Sequence, residues 1–225
     1  MALRGRGWHV SFSDPKVDLA HAKGRGAADE KVDGAKGDVV VIATPVDVAM
    51  KLEITARIAM TTCSVMMPFE KPGFVAGHPF AGSEKNGLDF ARADLFAGHP
   101  WFVNRDEPEI RALIEATGAR QVVVDPLEHD RAMAFTSHLP QVISTALASL
   151  IEQKRIDPMF IGNGVRTLLR LAASSYEVWG SVLDANARNI GEAERELLRI
   201  MNSMTGEDFN RARRFMAKYA EPPAR

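Results

Sequence analysis

The sequence predicts an α/β domain with a mostly parallel sheet, followed by an all-helical domain. Up to about residue 125, short β-rich runs alternate with turn signals and helical segments. After that point the strand signals vanish and long amphipathic patterns replace them. We therefore divide the 225 residues into a first domain, 1–125, and a second domain, 126–225. Each part lies within the usual size range of a domain.

The strands of the first domain are predicted from hydrophobic periodicity. Residues 8–13 alternate like a strand and end at Asp14. Residues 38–43 form a continuous β-branched run, which is expected for a strand buried on both faces of a parallel sheet. Further strands are predicted at 73–77, 101–103 and 121–124. A helix at 107–117, closed by Gly118, lies between the last two.

The second domain is predicted as helices with defined starts. Asp125 is a suitable N-cap for the first of them, and Pro140 predicts a kink further along. A capping box is predicted at 174–177, and apolar residues then recur at helical spacing as far as Met204. Thr205 begins a last helix. Long amphipathic helices in so small a domain often pack against a partner subunit, so we expect a homodimer through this domain.

Composition excludes several classes of partner. The 28 basic and 29 acidic residues give a formal charge of −1, so no overall field attracts nucleic acid. The single cysteine, Cys63, excludes an internal disulfide framework and a cysteine-based zinc site. No apolar run approaches the ~18 residues that span a bilayer, and the first residues lack the apolar core of a signal peptide. We expect a soluble cytoplasmic protein with no membrane partner and no metal.

A cluster of chemically informative residues directly follows the predicted strand at 73–77. The segment Gly77-His78-Pro79-Phe80-Ala81-Gly82-Ser83-Glu84-Lys85-Asn86-Gly87 holds three glycines, a histidine and an adjacent Ser-Glu pair. Ligand crevices of open α/β sheets form at the carboxyl ends of strands, so this position suits a binding site. A single histidine is more often a hydrogen-bonded structural residue, and that alternative stays open for His78.

Two further clusters lie in the helical half. The first contains His129-Asp130-Arg131 and, on the same predicted helix, His138. The second, at 162–173, ends with Arg170 among apolar residues. A cation in such surroundings needs an anion, which a substrate or the protein itself can supply. A substrate clamp and an internal salt bridge are equally compatible with this pattern.

Taken in this order, the clusters resemble the prephenate/arogenate dehydrogenase family over residues 7–190. The matching residues are Gly77-His78-Pro79, Ala81-Gly82-Ser83-Glu84, Ala91-Arg92-Ala93-Asp94-Leu95-Phe96, His129-Asp130-Arg131-Ala132, Ser137-His138-Leu139-Pro140, Arg170, Trp179 and Ala185-Asn186. The resemblance implies a Rossmann-like nucleotide-binding domain followed by a helical dimerisation domain. It also implies oxidative decarboxylation of prephenate, arogenate or both in tyrosine biosynthesis, with hydride transfer to NAD(P).

The resemblance assigns a role to each matching site residue. His78 is the expected catalytic histidine, which takes the proton of the ring hydroxyl, and Ser64 helps to hold that hydroxyl near the nicotinamide. A neutral imidazole with a pKa of about 6.5 is a suitable general base near neutral pH. Arginine suits a substrate with two carboxylates because its planar fork binds them bidentately. The residues expected to contact substrate are Ser83, Glu84, His138, Arg170 and Trp179.

Cofactor contacts are expected at two strand ends. Asp14 follows the strand at 8–13, where a carboxylate accepts from a ribose 2′-hydroxyl and repels a 2′-phosphate. This favours NAD over NADP, although Asp14 also fits a plain turn residue beside Pro15. Thr44 and Pro45 end the next strand and are expected to line the same crevice, together with Ser64.

The sequence departs from the family pattern in several places. The opening strand and its Gly-x-Gly-x-x-Gly turn have no counterpart, because neither Gly5-Arg6-Gly7 nor Gly24-Arg25-Gly26 fits that motif. The connection at 28–38 has little room for a helix, the stretch at 45–64 lacks an expected strand, and Met66 replaces a family lysine. We expect the true start and some flexible pieces to lie outside this sequence. Cofactor binding would be doubtful if the protein lacked them.

Two other functions are compatible with parts of the pattern. Another two-domain NAD(P)-dependent dehydrogenase, acting on β-hydroxyacids, would need a catalytic lysine in the helical half. Lys154 and Lys218 are the only lysines there, and neither lies in a suitable motif. A degenerate homologue that binds an aromatic acid and regulates a partner is favoured only by the missing glycine turn. The sequence leaves the choice between prephenate and arogenate, and feedback by tyrosine, undecided.

Overall fold

A computed structural model of the chain describes residues 1–82 and 87–219. The strands are β1 (Ser11–Phe12), β2 (Glu30–Lys31), β3 (Ala35–Lys36), β4 (Val39–Ile42), β5 (Ile54–Thr55), β6 (Ile58–Thr61), β7 (Phe74–Val75), β8 (Gly77–Pro79), β9 (Pro100–Val103) and β10 (Arg120–Val123). The α-helices are α1 (Leu19–Gly24), α2 (Val46–Ala49), α3 (Pro108–Ala116), α4 (Pro126–Met133), α5 (Leu139–Gln153), α6 (Asn163–Leu169), α7 (Tyr176–Ala185), α8 (Ala187–Asn202) and α9 (Gly206–Tyr219).

The principal sheet of the first half is mostly parallel, as predicted. β4 pairs with β6, β6 with β7, and β9 with β10, all in parallel. β7 and β8 are separated only by Ala76, and β8 pairs antiparallel with β9. The backbone N–H of Ala76 donates to Oδ1 of Asn104 at 2.9 Å. This hydrogen bond satisfies the donor at the point where the chain stops pairing with β6 and begins to pair with β9. Hydrogen bonding thus divides this sheet into two three-stranded parts, β4-β6-β7 and β8-β9-β10, which follow each other in the chain where β7 leads into β8.

Four short strands form two separate parallel ladders before and beside this sheet. β1 pairs with β2, and β3 pairs with β5. Within residues 1–82 and 87–219, β1 and β4 belong to different ladders. No helix occupies the connection at 28–38, which contains only β2 and β3. The shortness of that connection matches the expectation from sequence.

The core of the first half contradicts two details of the sequence prediction. The stretch at 45–64 does contain a strand, since β6 lies inside the sheet and all of its residues are buried. Its four residues are all apolar or neutral and show no alternation, because both faces of the strand are covered. A run of four residues is also too short to give a clear signal. β4 was expected to be buried on both faces, but Val41 is 39% exposed while Val40 and Ile42 are buried.

The first long helical segment of the second half is interrupted by a π-helical turn. This turn, Ala134–His138, lies between α4 and α5. Pro140 follows it in the first turn of α5 and lacks the N–H that a regular helix would need there. The predicted irregularity at Pro140 therefore takes the form of a wide turn that ends at His138. Asp125 caps α4 by accepting from the N–H of Glu128, as predicted.

The later helices differ from the prediction at two points. The apolar run that ends at Met204 is not one long helix, because Asn186 separates α7 from α8 with φ −111° and ψ 17°. The capping box at 174–177 is also wrong, since α7 begins after Ser175, whose side chain makes no capping hydrogen bond. The start at Thr205 is confirmed, because its N–H donates to Oδ2 of Asp208 at 2.8 Å. Within the described chain, none of the helices is long and apolar enough to cross a membrane.

Gly77 is the position in the sheet where a side chain cannot be accommodated. A Cβ at this residue would lie 2.6 Å from the carbonyl oxygen of Thr61 and 2.8 Å from Cγ of Met60. We expect Gly77→Ala to lower the free energy of unfolding by about 1–3 kcal/mol, as overpacking of a core does. Urea denaturation measures this change. Gly24→Ala is the matched control because no atom lies within 4 Å of its Cβ position, and equal stability of both variants would contradict the close packing.

Candidate active site

His78 lies in β8, opposite Phe102 of the neighbouring β9. The sequence placed it just beyond the end of a strand, but the strand continues through it because β8 pairs with β9. Its ring is partly exposed and makes edge contacts with Phe80, at a centroid distance of 5.8 Å, and with His129, at 5.2 Å. β8 therefore presents the imidazole on a rigid strand beside apolar rings.

A chain of hydrogen bonds leads from His78 into the protein interior. Nδ1 of His78 lies 3.0 Å from Nε2 of His129, and Nδ1 of His129 lies 2.9 Å from Oδ1 of Asp130. The carboxylate of Asp130 also accepts from the backbone N–H groups of Met66, at 2.7 Å, and Met67, at 3.0 Å. His129 and Asp130 are buried at the start of the helical half, so this contact joins the two halves of the chain.

A second histidine, His138, is fully buried at the end of the π-helical turn. Nδ2 of Asn186 lies 3.0 Å from Nδ1 of His138 and also donates to the carbonyl oxygen of Asp130 at 2.7 Å. The backbone carbonyl of Asp130 can only accept, so it fixes the amide orientation, and Oδ1 of Asn186 then accepts from Asn189 at 2.8 Å. Nδ1 of His138 is therefore an acceptor, and the neutral ring carries its proton on Nε2.

Nε2 of His138 is buried and has no hydrogen-bond partner within the described residues. A buried donor without a partner is unfavourable, so a site of this kind favours an acceptor group on a bound molecule. The ring of Trp179 stands edge-on to His138 at a centroid distance of 5.9 Å. His138 and Trp179, which the sequence placed in one substrate pocket, are thus in contact.

Burial keeps both histidines neutral over a wide pH range. It lowers the pKa of His78 to about 3, helped by His129 and His138, while Asp130 acts in the opposite direction. It lowers the pKa of His138 to about 4, with Asp130 again opposing and His129 adding to the effect. Near neutral pH, each ring therefore has one N–H donor and one lone pair.

The cofactor residues expected at the sheet edge lie at the carboxyl ends of β4 and β6. Thr44 and Pro45 follow β4, and Ser64 follows β6 in the loop that ends at Met66. This loop is attached to β4, because the N–H of Thr62 donates to the carbonyl of Ile42 at 3.0 Å. The same loop donates its Met66 N–H to Asp130. The sheet edge that holds Thr44 and Ser64 is therefore hydrogen-bonded to Asp130, which in turn contacts His78 through His129.

Arg170 occupies a 3-10 helix, Arg170–Ala173, that packs against α5. Two hydrogen bonds hold this helix: Ala172 N–H donates to Ser144 at 2.9 Å, and Gln141 donates to the Leu171 carbonyl at 2.9 Å. Because α5 begins directly after His138, this packing places the segment of Arg170 beside the helix that follows that histidine. Arg170 as a whole residue is exposed.

Asp14, which the sequence predicted as a cofactor contact, is not connected to this arrangement. Asp14 is exposed after β1, and its Oδ1 accepts from the N–H of Lys16 at 2.7 Å, as in a plain turn. One carboxylate oxygen is therefore already used by the backbone. Ser83 and Glu84 lie outside the described residues, so their expected contact with substrate stays a prediction.

Sequence reasoning assigned no role to His129, Asp130 or Asn186. All three are buried and form the support behind the two site histidines. The available signal was the His-Asp pair at the start of a predicted helix, and the asparagine within the predicted amphipathic run. Neither signal specifies a partner, because the hydrogen bond from His78 to His129 crosses 51 positions of sequence.

Two family models together match nearly the whole chain. The model of the nucleotide-binding domain of prephenate dehydrogenase matches residues 1–120, and the model of its dimerisation domain matches residues 125–217. The chain belongs to the prephenate dehydrogenase family. The resemblance expected from the sequence is thereby confirmed, as is the order of a Rossmann-like domain followed by a helical one.

Individual members of the family are distant in sequence. Prephenate dehydrogenase of Lactococcus lactis subsp. cremoris is 26% identical over 73% of this chain and 54% of its own length. A probable prephenate dehydrogenase of Streptomyces niveus is 28% identical over 92% of this chain and 65% of its own length. The chain thus spans roughly half to two thirds of these relatives.

A solved family structure has the same fold. Prephenate dehydrogenase of A. aeolicus, crystallised with hydroxyphenyl propionate and NAD+, superposes with a TM-score of 0.79 at 20% identity. The match covers 97% of this chain and 88% of the other. The likeness therefore extends through both the sheet and the helices.

The buried histidines predict a pH-dependent stability. The unfolded chain protonates His138 below a pKa of about 6.5, whereas the folded protein does so only near 4. The free energy of unfolding should therefore fall as pH drops from about 6.5 towards 4, by up to about 1.4 kcal/mol per pH unit for this histidine. Urea denaturation at pH 7, 6 and 5 measures the slope. His138→Gln should reduce it, and identical slopes would show that His138 is not buried in the neutral form.

Proposed function

We propose that the protein oxidises and decarboxylates prephenate, arogenate or both, giving 4-hydroxyphenylpyruvate or tyrosine in tyrosine biosynthesis. The observation that carries this proposal is the neutral imidazole of His78, presented on β8 and connected at Nδ1 to a buried His-Asp pair. The named relatives of the family support the same reaction. No relative supports the regulatory alternative, since all of those reported above are named as dehydrogenases.

His78 is the proposed base. Removal of hydride from the hydroxyl-bearing ring carbon requires that the hydroxyl proton leave, and a neutral imidazole can accept it. Ser64, in the loop after β6, is proposed to hold the same hydroxyl through its side chain. Loss of the ring carboxylate then yields an aromatic phenol, and the gain of aromaticity makes the reaction effectively irreversible.

The proposed pocket recognises the acidic groups of the substrate. Arg170 suits a carboxylate because its guanidinium offers paired N–H donors. His138 offers a buried N–H at Nε2, which fits an acceptor such as a ketone or carboxylate oxygen, and Trp179 forms the wall beside it. Ser83 and Glu84 are proposed to complete the pocket from the segment that follows β8.

NAD is the proposed cofactor, with NADP as the other possibility. When bound, this cofactor would accept the hydride. Thr44, Pro45 and Ser64 fit its nicotinamide end, because they lie at the carboxyl ends of adjacent parallel strands, where dinucleotides bind in folds of this class. Asp14 is proposed to accept from the ribose with the carboxylate oxygen that Lys16 leaves available. The A. aeolicus relative was crystallised with NAD+.

A homodimer in the cytoplasm is proposed as the working form. α9 has no buried residue, yet it carries apolar side chains such as Phe209 and Phe215, which are 64% and 60% exposed. Apolar exposure on this scale indicates a covered face. The family model that matches residues 125–217 describes a dimerisation domain. A monomer in sedimentation measurements on the complete protein, at micromolar concentration, would contradict this proposal.

Initial rates with prephenate and with arogenate, each with NAD and with NADP, test the activity directly. His78→Asn should lower kcat by about 10²-fold or more with a modest change in KM, because the base is lost while substrate contacts remain. His99→Asn is the matched control, since His99 is exposed ahead of β9. An unchanged kcat in His78→Asn would remove His78 from the mechanism, and inactivity of the wild-type protein on both substrates would overturn the proposed function.

A further inference from the structure

The proposed base is connected to two enclosed polar residues that make none of the substrate or cofactor contacts proposed above. His129 and Asp130 have side chains that are each 2% exposed. The ring of His129 lies between the two others, 3.0 Å from His78 and 2.9 Å from Asp130. Polar groups this deeply buried are costly unless each one is hydrogen-bonded, so the geometry of the set is tightly constrained.

The direction of each hydrogen bond follows from the aspartate. Its carboxylate already accepts two backbone N–H groups, and a carboxylate oxygen accepts from Nδ1–H of His129 as well. When His129 is neutral, its other nitrogen, Nε2, holds a lone pair and accepts from Nδ1–H of His78. Nε2 of His78 is then left without a proton.

We propose that His129 and Asp130 are positioning residues that hold the proton of His78 on Nδ1 and so make Nε2 the base of the site. This inference rests on the proposed function for its catalytic meaning. The tautomer itself is a property of the folded protein without substrate. It can therefore be measured whether or not the proposed reaction takes place.

The same chain allows the accepted charge to move away from the substrate. The hydroxyl proton of the substrate binds to Nε2 of His78, and the proton on Nδ1 passes to Nε2 of His129 across 3.0 Å. One proton has then entered the chain, and the positive charge rests on His129 beside the carboxylate of Asp130. The reverse transfer returns the proton when the site is again open to solvent.

Few charged or titratable groups face His78. Among the described residues, those that influence it are His129 and Asp130 from α4 and His138 from the π-helical turn. β9 contributes only the ring of Phe102 on this side. Asp130 is the single group in this set that favours a protonated His78.

Nitrogen NMR of the histidine rings tests the tautomer directly. In the wild-type protein near neutral pH, His78 should show a protonated Nδ1 and an unprotonated Nε2. In His129→Phe, which keeps a ring but removes both nitrogens, Nδ1–H loses its acceptor and a mixture of the two tautomers is expected. A wild-type His78 protonated on Nε2 would overturn the inference, and this measurement involves no substrate.

Kinetics separate positioning from a merely structural role. His129→Phe should lower kcat roughly 10-fold, at the low end of contributions from acid–base groups, with little change in KM. The acid limb of its pH profile should also move to higher pH, because His129 lowers the pKa of His78 and the variant lacks it while it keeps Asp130. His129→Gln should recover part of kcat, since its side-chain oxygen can accept from Nδ1–H. His99→Phe is the matched control.

A lower kcat in His129→Phe with an unchanged pH profile and no recovery in His129→Gln would show a structural role and overturn the inference. An inactive wild-type protein in which His78 is protonated on Nδ1 would instead contradict the proposed function alone. The two failures are therefore distinguishable.

Discussion

The buried carboxylate of Asp130 is the interaction on which the candidate site depends. A carboxylate cannot be buried cheaply unless donors surround it, and here Met66, Met67 and His129 supply three. The donors belong to two parts of the site: the backbone at Met66 and Met67, which follows Ser64, and the ring of His129, which contacts His78. The requirement to satisfy one anion therefore fixes the loop after β6 and the imidazole on β8 together.

The irregular points of the helical half serve the same arrangement. The π-helical turn ends at His138, and the break between α7 and α8 occurs at Asn186. The side chain of Asn186 reaches both the carbonyl of Asp130 and Nδ1 of His138 from that break. Departures from regular helix geometry are frequent at functional sites, and here each one directs a polar group inwards.

Local pattern was enough to predict much of the framework. β4, β9 and β10 follow from short apolar runs between turn signals, and the cap at Asp125 follows from residue type. β6 could not be predicted, because a short strand covered on both faces has no alternating pattern. The break at Asn186 escaped prediction, and the side chain at that break is hydrogen-bonded to a residue 56 positions away, which no local pattern reveals.

The candidate site was predictable in its exposed members but not in their support. His78 was identified from its motif and from resemblance, whereas its contact with His129 joins residues that are 51 positions apart in the sequence. His138 and Trp179 were expected in one pocket, and their rings do touch. A sequence pattern does not show which group donates and which accepts each hydrogen bond, because the neighbours in three dimensions determine this.

The attachment of the loop at Met66 and Met67 to Asp130 also limits how the molecule can open. These two hydrogen bonds join the sheet half to the helical half at the buried carboxylate of Asp130. Separation of the two halves at this point would remove hydrogen-bond donors from a buried carboxylate. We therefore expect the two halves to move relative to each other about this point as a hinge. Entry of a molecule into the crevice would then depend on motion at its far rim.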